Sequence, residues 1–162
     1  MEFKEIYKEY SPKIFRFCLG YVNDNDKAKD LTQDTFIAVW ENLDSFKGES
    51  GIGTWIFKIA ANKCLRQMDN EKRRQKFTSA FSENNTTIII EHEKEEKAKH
   101  TFLQNCIAQL PETDRLIIGL YLEDIAQEKI AEIMGISHAN VRVKFHRIKA
   151  VLTEQFKKHG RF

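Results

Sequence analysis

The chain has 162 residues, with 26 Lys and Arg against 24 Asp and Glu and a mean hydropathy of −0.52, enough for one ordinary domain or two small ones. No apolar run approaches the ~20 residues of a membrane span, and the charged, amphipathic amino-terminal stretch lacks a signal peptide's apolar core; a cytoplasmic chain without membrane insertion is expected. Cys18, Cys64 and Cys106 are far apart and outside any Cys-x-x-Cys spacing, which predicts reduced core thiols. His100 and Cys106 are neighbours without a second pair, so no metal site and no cofactor are expected.

The hydrophobic period is helical almost throughout, and the fold class expected is all-α. Phe3, Ile6, Tyr7, Tyr10, Ile14, Phe17, Cys18 and Tyr21 mark a first helix near residues 2–22, with Pro12 bending or interrupting it. A second helix near 26–43 carries the stripe Ala28, Leu31, Thr35, Phe36, Val39, Trp40 and Leu43, with Asp26 as a candidate cap. A glycine-bearing loop, Lys47 to Gly53, precedes a third helix that Thr54 can cap, with Trp55, Ile56, Ile59, Ala60, Leu65 and Met68 inward. Periodicity then fails, and the polar stretch from Glu71 to about Glu93 reads as a linker, apart from the apolar run Ile88, Ile89, Ile90, which should dock on a surface. A fourth helix runs from about Lys94 to Gln109, and Pro111 opens a fifth with Leu116, Ile117, Leu120 and Tyr121. The domain boundaries expected are 1–74, a linker at 75–93, and 94–162.

Charge is partitioned far more strongly than the net +2 suggests. Residues 1–46 carry six Lys/Arg against nine Asp/Glu, whereas residues 54–76 carry seven against two. Residues 100–137 carry two against six, and residues 138–162 seven against one. Two acidic blocks are therefore each followed by a basic one. Two separate basic surfaces suggest two contacts with nucleic-acid phosphates, and the acidic blocks suit a different partner.

Residues 126–149 read as two short helices joined by a glycine turn, the layout of a helix-turn-helix DNA reader. Ala131 is small where the helices cross, Gly135 supplies the turn's φ > 0, and Val141 faces inward on the second helix. Ser137 is a ready N-cap. The outward positions include Asn140, Arg142, Lys144, His146, Arg147 and Lys149. Asn140, Arg142 and Lys144, early on the helix, can reach base edges; Arg147 and Lys149 lie farther along, toward phosphates.

Three motifs in order carry a family resemblance. Asp30-Leu31-Thr32-Gln33-Asp34-Thr35-Phe36 with Trp40, then Phe46-Lys47-Gly48-Glu49-Ser50 followed by Thr54-Trp55-Ile56-Phe57-Lys58-Ile59-Ala60 and Asn62, then Leu110-Pro111-Glu112 with Ile130 to Ser137 and Val141-Arg142, are together similar to bacterial RNA polymerase sigma factors of the extracytoplasmic-function group. Nothing in composition or periodicity alone leads to polymerase. The resemblance implies an amino-terminal helical domain that binds core RNA polymerase through Asp30, Gln33, Asp34 and Phe36. It implies that Phe46, Lys47, Gly48, Glu49, Ser50, Thr54, Lys58, Asn62, Lys63 and Arg66 handle the −10 promoter element, where an unpaired base is caught outside the stack. Arg73 and Arg74 can join the phosphate contacts. It further implies that Ser137, His138, Asn140, Arg142, Lys144, Arg147 and Lys149 meet the −35 element of promoter DNA, and that an anti-sigma factor is a partner. Leu31, Val39 and Trp40 read as core. Phe46 reads equally as core or as a stacking platform, and Trp55 as core. The Gly51-Ile52-Gly53 segment departs from the bulkier residues usual in the group.

No Gly-rich phosphate loop, nucleophile–His–carboxylate pattern or zinc signature is present, so the chain is not expected to be an enzyme. An alternative sigma factor of two helical domains joined by a flexible linker is the reading adopted. A free-standing helix-turn-helix regulator is the alternative, and it would need a dimerisation helix or an effector pocket.

Overall fold

A computed structural model describes residues 1–77 and 95–159. Seven α-helices make up the regular structure of these residues, and no strand occurs among them. They are α1 Phe3–Val22, α2 Asn25–Asn42, α3 Ile52–Phe77, α4 Glu95–Ala108, α5 Glu112–Leu122, α6 Gln127–Met134 and α7 His138–His159. A short 3-10 turn at Leu43–Ser45 follows α2. The Ile88 to Ile90 run and most of the expected linker lie outside the described residues.

α1 runs unbroken through Pro12. An interior proline costs a helix about 3 kcal/mol. Burial of Ile6 on one side of it and of Ile14, Phe17, Cys18 and Tyr21 on the other offsets that cost, since each large apolar side chain contributes about 1.5–3 kcal/mol. Asn23 then ends α1 in the left-handed region, at φ 52°, which asparagine tolerates better than most residues. The cap of α2 is Asp24 and not the expected Asp26: its Oδ1 accepts the Lys27 N–H at 3.0 Å. The turn needs so few residues after Asn23 that the helix starts earlier.

Thr54 likewise lies inside α3 and does not cap it. The helix begins at Ile52, where the Gly51 carbonyl accepts the Trp55 N–H. Its far end reaches Phe77, past the boundary expected at 74.

α1, α2 and α3 pack together, and α5, α6 and α7 pack together. The two groups also meet: α1 lies against α4 and α5, and α3 against α6. The buried side chains form one continuous cluster, from Ile6 and Phe17 through Leu116 and Leu120 to Val141 and Ile148. Phe17 carries this continuity across the seam. Its ring lies so near Gly119 that a Cβ there would sit 3.1 Å from it. Cys18, Cys64 and Cys106 are all buried and free. The Sγ atoms of Cys18 and Cys64 are 4.0 Å apart, and this contact and burial together push the Cys64 thiol up.

Candidate nucleic-acid interface

The first surface is the outer face of α2. Asp30, Gln33 and Asp34 are exposed at helical spacing, opposite the buried Ala28, Leu31, Thr35 and Val39. Phe36, expected on this face, is instead 3% exposed. It falls on the core side with Thr32 and Val39, and its ring meets Tyr7 edge-on with centroids 4.9 Å apart. Trp40, expected in the core, is 64% exposed. It rests edge-on against Phe3 at 4.9 Å, one turn beyond Phe36, where the bundle no longer covers it. Exposed Ile37 continues the same face. Its spacing of three from Asp34 is the sequence signal for it. The face is thus acidic at one end and apolar at the other.

The second surface is the loop before α3 and the exposed edge of that helix. Gly48 turns the loop at φ 72°. Phe46 packs its ring on Trp55, with centroids 4.9 Å apart and planes tilted by 34°; both are half-buried. A cleft of about 290 Å³ opens beside them, lined by Ser45, Lys47, Glu49, Ser50, Thr54 and Lys58 as well as the two aromatics. Lys58, Asn62 and Arg66 follow at intervals of four, all exposed, so the helix presents them as one stripe. Lys63 is half-buried to the side of it. Arg73 is exposed farther along the same helix. The unusual Gly53 has a packing cause: a Cβ there would come within 3.0 Å of the Tyr10 ring.

The third surface is α7. Gly135 adopts φ 68° and ends α6, and the Ile136 N–H donates back to the Ala131 carbonyl. Ser137 Oγ accepts the Asn140 N–H at 3.1 Å and so caps α7, with half-buried His138 next to it. Val141 and Ile148 are buried. That orientation leaves Asn140, Arg142, His146 and Lys149 exposed. Two of the candidate cations turn back toward the scaffold. Asp114 on α5, 3% exposed, accepts from Arg147 Nη2 at 3.3 and 3.4 Å, and Lys144 Nζ stands 4.0 Å from it. Lys144 accordingly lies on the flank of α7 facing α5 and not on its outward centre. The sequence pattern missed Asp114, because an acid in a helix's first turn ordinarily reads as an exposed dipole partner.

Among the described residues no three His, Cys, Asp or Glu side chains converge on a metal-sized site, and no helix is long and apolar enough to cross a membrane.

Comparison with known proteins meets this geometry at both ends of the chain. Residues 6–74 match the family described as Sigma-70 region 2, and residues 103–152 match Sigma-70, region 4. The chain is 26% identical over 160 residues to the RNA polymerase sigma factor YlaC of Bacillus subtilis (strain 168), covering 96% of this chain and 92% of that one. It is also 26% identical to the ECF RNA polymerase sigma factor SigW of the same organism, covering 96% and 89%. The fold superposes on the sigma factor RpoE, solved in complex with the anti-sigma factor NepR from Bartonella quintana, with a TM-score of 0.82 at 24% identity and 96% coverage of each chain. The chain belongs to the sigma-70 family, extracytoplasmic-function group. It is an alternative sigma factor, a DNA-binding initiation factor of transcription.

In this sigma factor the two matched regions are held face to face. Arg16 on α1 donates from Nε and Nη2 to the two carboxylate oxygens of Glu123, both at 3.0 Å. That hydrogen-bonded pairing raises the Arg16 pKa. Arg115 on α5 donates to the Tyr21 carbonyl at 3.0 Å, and its guanidinium lies over the Tyr21 ring, 4.8 Å from the centroid. Burial, reinforced by Glu112, raises the Tyr21 phenol above its usual range. Lys72 pairs with Glu112. On the other side of the seam, Glu132 of α6 forms part of the wall of the cleft beside Phe46 and Lys58.

Proposed function

We propose that this sigma factor binds core RNA polymerase through the α2 face bearing Asp30, Gln33 and Asp34, extended by Ile37 and Trp40, and brings promoter DNA to the other two surfaces. An acidic helix face with an apolar end suits a basic, amphipathic helical partner, and buried Phe36 supports the face from beneath. The loop at 46–51 and the stripe Lys58, Asn62 and Arg66 would take the −10 element. Amides, backbone groups and an aromatic edge beside the cleft suit an unstacked base, and the cations suit its phosphates. Arg142, Asn140, His146 and Lys149 on α7 would meet the −35 element, with Ser137 as the cap that orients the helix and His138 beside it. The reaction itself belongs to the polymerase, and this subunit acts in the cytoplasm without chemistry of its own. Binding energy on the non-template strand would offset the unstacking cost of a few kcal/mol per step.

The observation that best supports this reading is the order of the three surfaces: an acidic helix face, a loop-and-stripe basic face, and a capped basic helix, on a chain matching region 2 and region 4 in sequence. The two promoter elements lie on the order of two helical turns apart, about 70 Å. Simultaneous contact would require polymerase to hold the domains 1–74 and 94–162 apart. An anti-sigma factor would act on the closed arrangement, like that named in the RpoE complex. Co-purification with core polymerase followed by run-off transcription on genomic fragments tests the whole reading. A chain that neither associates with the core nor directs start sites fails it.

A further inference from the structure

Over its first two turns, before His146, the outward centre line of α7 is apolar where a basic reading helix would be expected to carry donors. With Val141 and Ile148 buried, the helical period places Ala139, Val143 and His146 directly opposite them. Val143 is 68% exposed, and Ala139, four residues earlier, is exposed beside it. The polar side chains of these turns are off this line: Lys144 leans toward Asp114, Arg147 is bonded to it, and Arg142 and the neutral Asn140 stand on opposite flanks. The helix's first two turns thus offer a methyl-bearing ridge between polar flanks.

A base edge in the major groove has one prominent apolar feature, the C5-methyl of thymine; its other groups are hydrogen-bond donors and acceptors. A β-branched side chain with a small residue one turn before it can press against that methyl without a competing side chain between them. We infer that Val143 is a specificity-determining residue, which selects a thymine in the upstream promoter element by packing its isopropyl group on the C5-methyl, with Ala139 leaving the room. Asn140, on the flank, is free to bond an adjacent adenine. This rests on the assignment of α7 to DNA made above and adds a base preference to it.

The test uses the holoenzyme. Promoter fragments with a randomised upstream element are selected for holoenzyme binding, and each thymine of the selected site is replaced in turn by deoxyuridine, which lacks only the methyl. One thymine should lose about fourfold in affinity on that replacement, the worth of burying a single carbon group. In Val143→Ala the thymine and deoxyuridine sites should bind alike at that position, and circular dichroism should show the helix content retained. Val143→Leu, which keeps an apolar tip but moves it, should preserve some methyl dependence. Selected sites indifferent to every thymine methyl would overturn the assignment of Val143, as would an undiminished deoxyuridine effect in Val143→Ala. A holoenzyme that selects no upstream sequence would instead overturn the assignment of α7 to DNA.

Discussion

Arg16 and Glu123 form a two-pronged ion pair across the seam between the two matched regions, both contacts at 3.0 Å. Arg16 is largely solvent-facing while Glu123 is mostly covered, so screening limits the pair's own worth to less than about 1 kcal/mol. Its value is geometric, since a planar guanidinium fixes the angle at which α5 meets α1. Glu123→Arg should therefore loosen the seam, which the shared core and the Arg115–Tyr21 contact still hold, without melting either domain. Labels at positions 29 and 157 should report a longer mean distance in this variant, and in the native protein on binding core polymerase. A distance unchanged in both cases would count against a closed free form.

Asp34 sits on the open face of α2 and holds nothing in place. Asp34→Lys should shift stability by less than about 0.5 kcal/mol, as exposed substitutions usually do, while core-polymerase binding falls. Thermal melting and a core pull-down read the two separately. Normal binding by a folded variant would remove the face from the interface.

Phe36 and Trp40 should behave in opposite ways despite sitting four residues apart. Phe36→Ala removes a buried ring packed against Tyr7 and should destabilise by about 3–5 kcal/mol. Trp40→Ala removes an exposed ring and should leave the fold near native while weakening association with the core. Equal losses of stability in both would show that Trp40 is covered in solution.

Gly53→Ala brings a methyl against the Tyr10 ring. Overpacking of this kind costs about 1–3 kcal/mol, and the ring's half-buried position allows partial relief. Tyr10→Ala should suppress the effect, so that the double variant is more stable than the sum of the single losses predicts. Additive losses in chemical denaturation would point to backbone freedom, and not the aromatic contact, as the reason for glycine.

On α7, Arg142→Ala should cost about 1–3 kcal/mol of promoter binding and loosen discrimination at one or two base pairs. Lys149→Ala should weaken all sequences alike and lower the salt slope by about one. Filter binding across salt concentrations separates the two outcomes. Indistinguishable salt slopes with unchanged discrimination would reassign both residues.

The helices, their order and the sigma-type motifs were legible in the sequence because they depend on local quantities. The 3.6-residue period marks Leu31 and Val39 as buried, the Gly135 turn needs φ > 0, and Ser137 caps the helix that follows it within three residues. Asp30, Gln33 and Asp34 were readable as an exposed face for the same reason. What the period could not settle was the edge of each stripe. Phe36 and Trp40 are both aromatic and both lie near the boundary of the α2 core face; only the position of α1, with Phe3 and Tyr7, decides which ring is covered. Gly53 looked like an irregularity until Tyr10, distant in sequence, came to lie against it. Asp114 likewise became a buried anchor for Arg147 only when α7 crossed α5, turning Lys144 aside and leaving Val143 on the open face. Local sequence determined which helices form and where they end, because caps and periods act over three or four residues. The packing of distant helices decided which boundary residues are buried and which charges are paired, because those outcomes depend on neighbours that the local pattern does not contain.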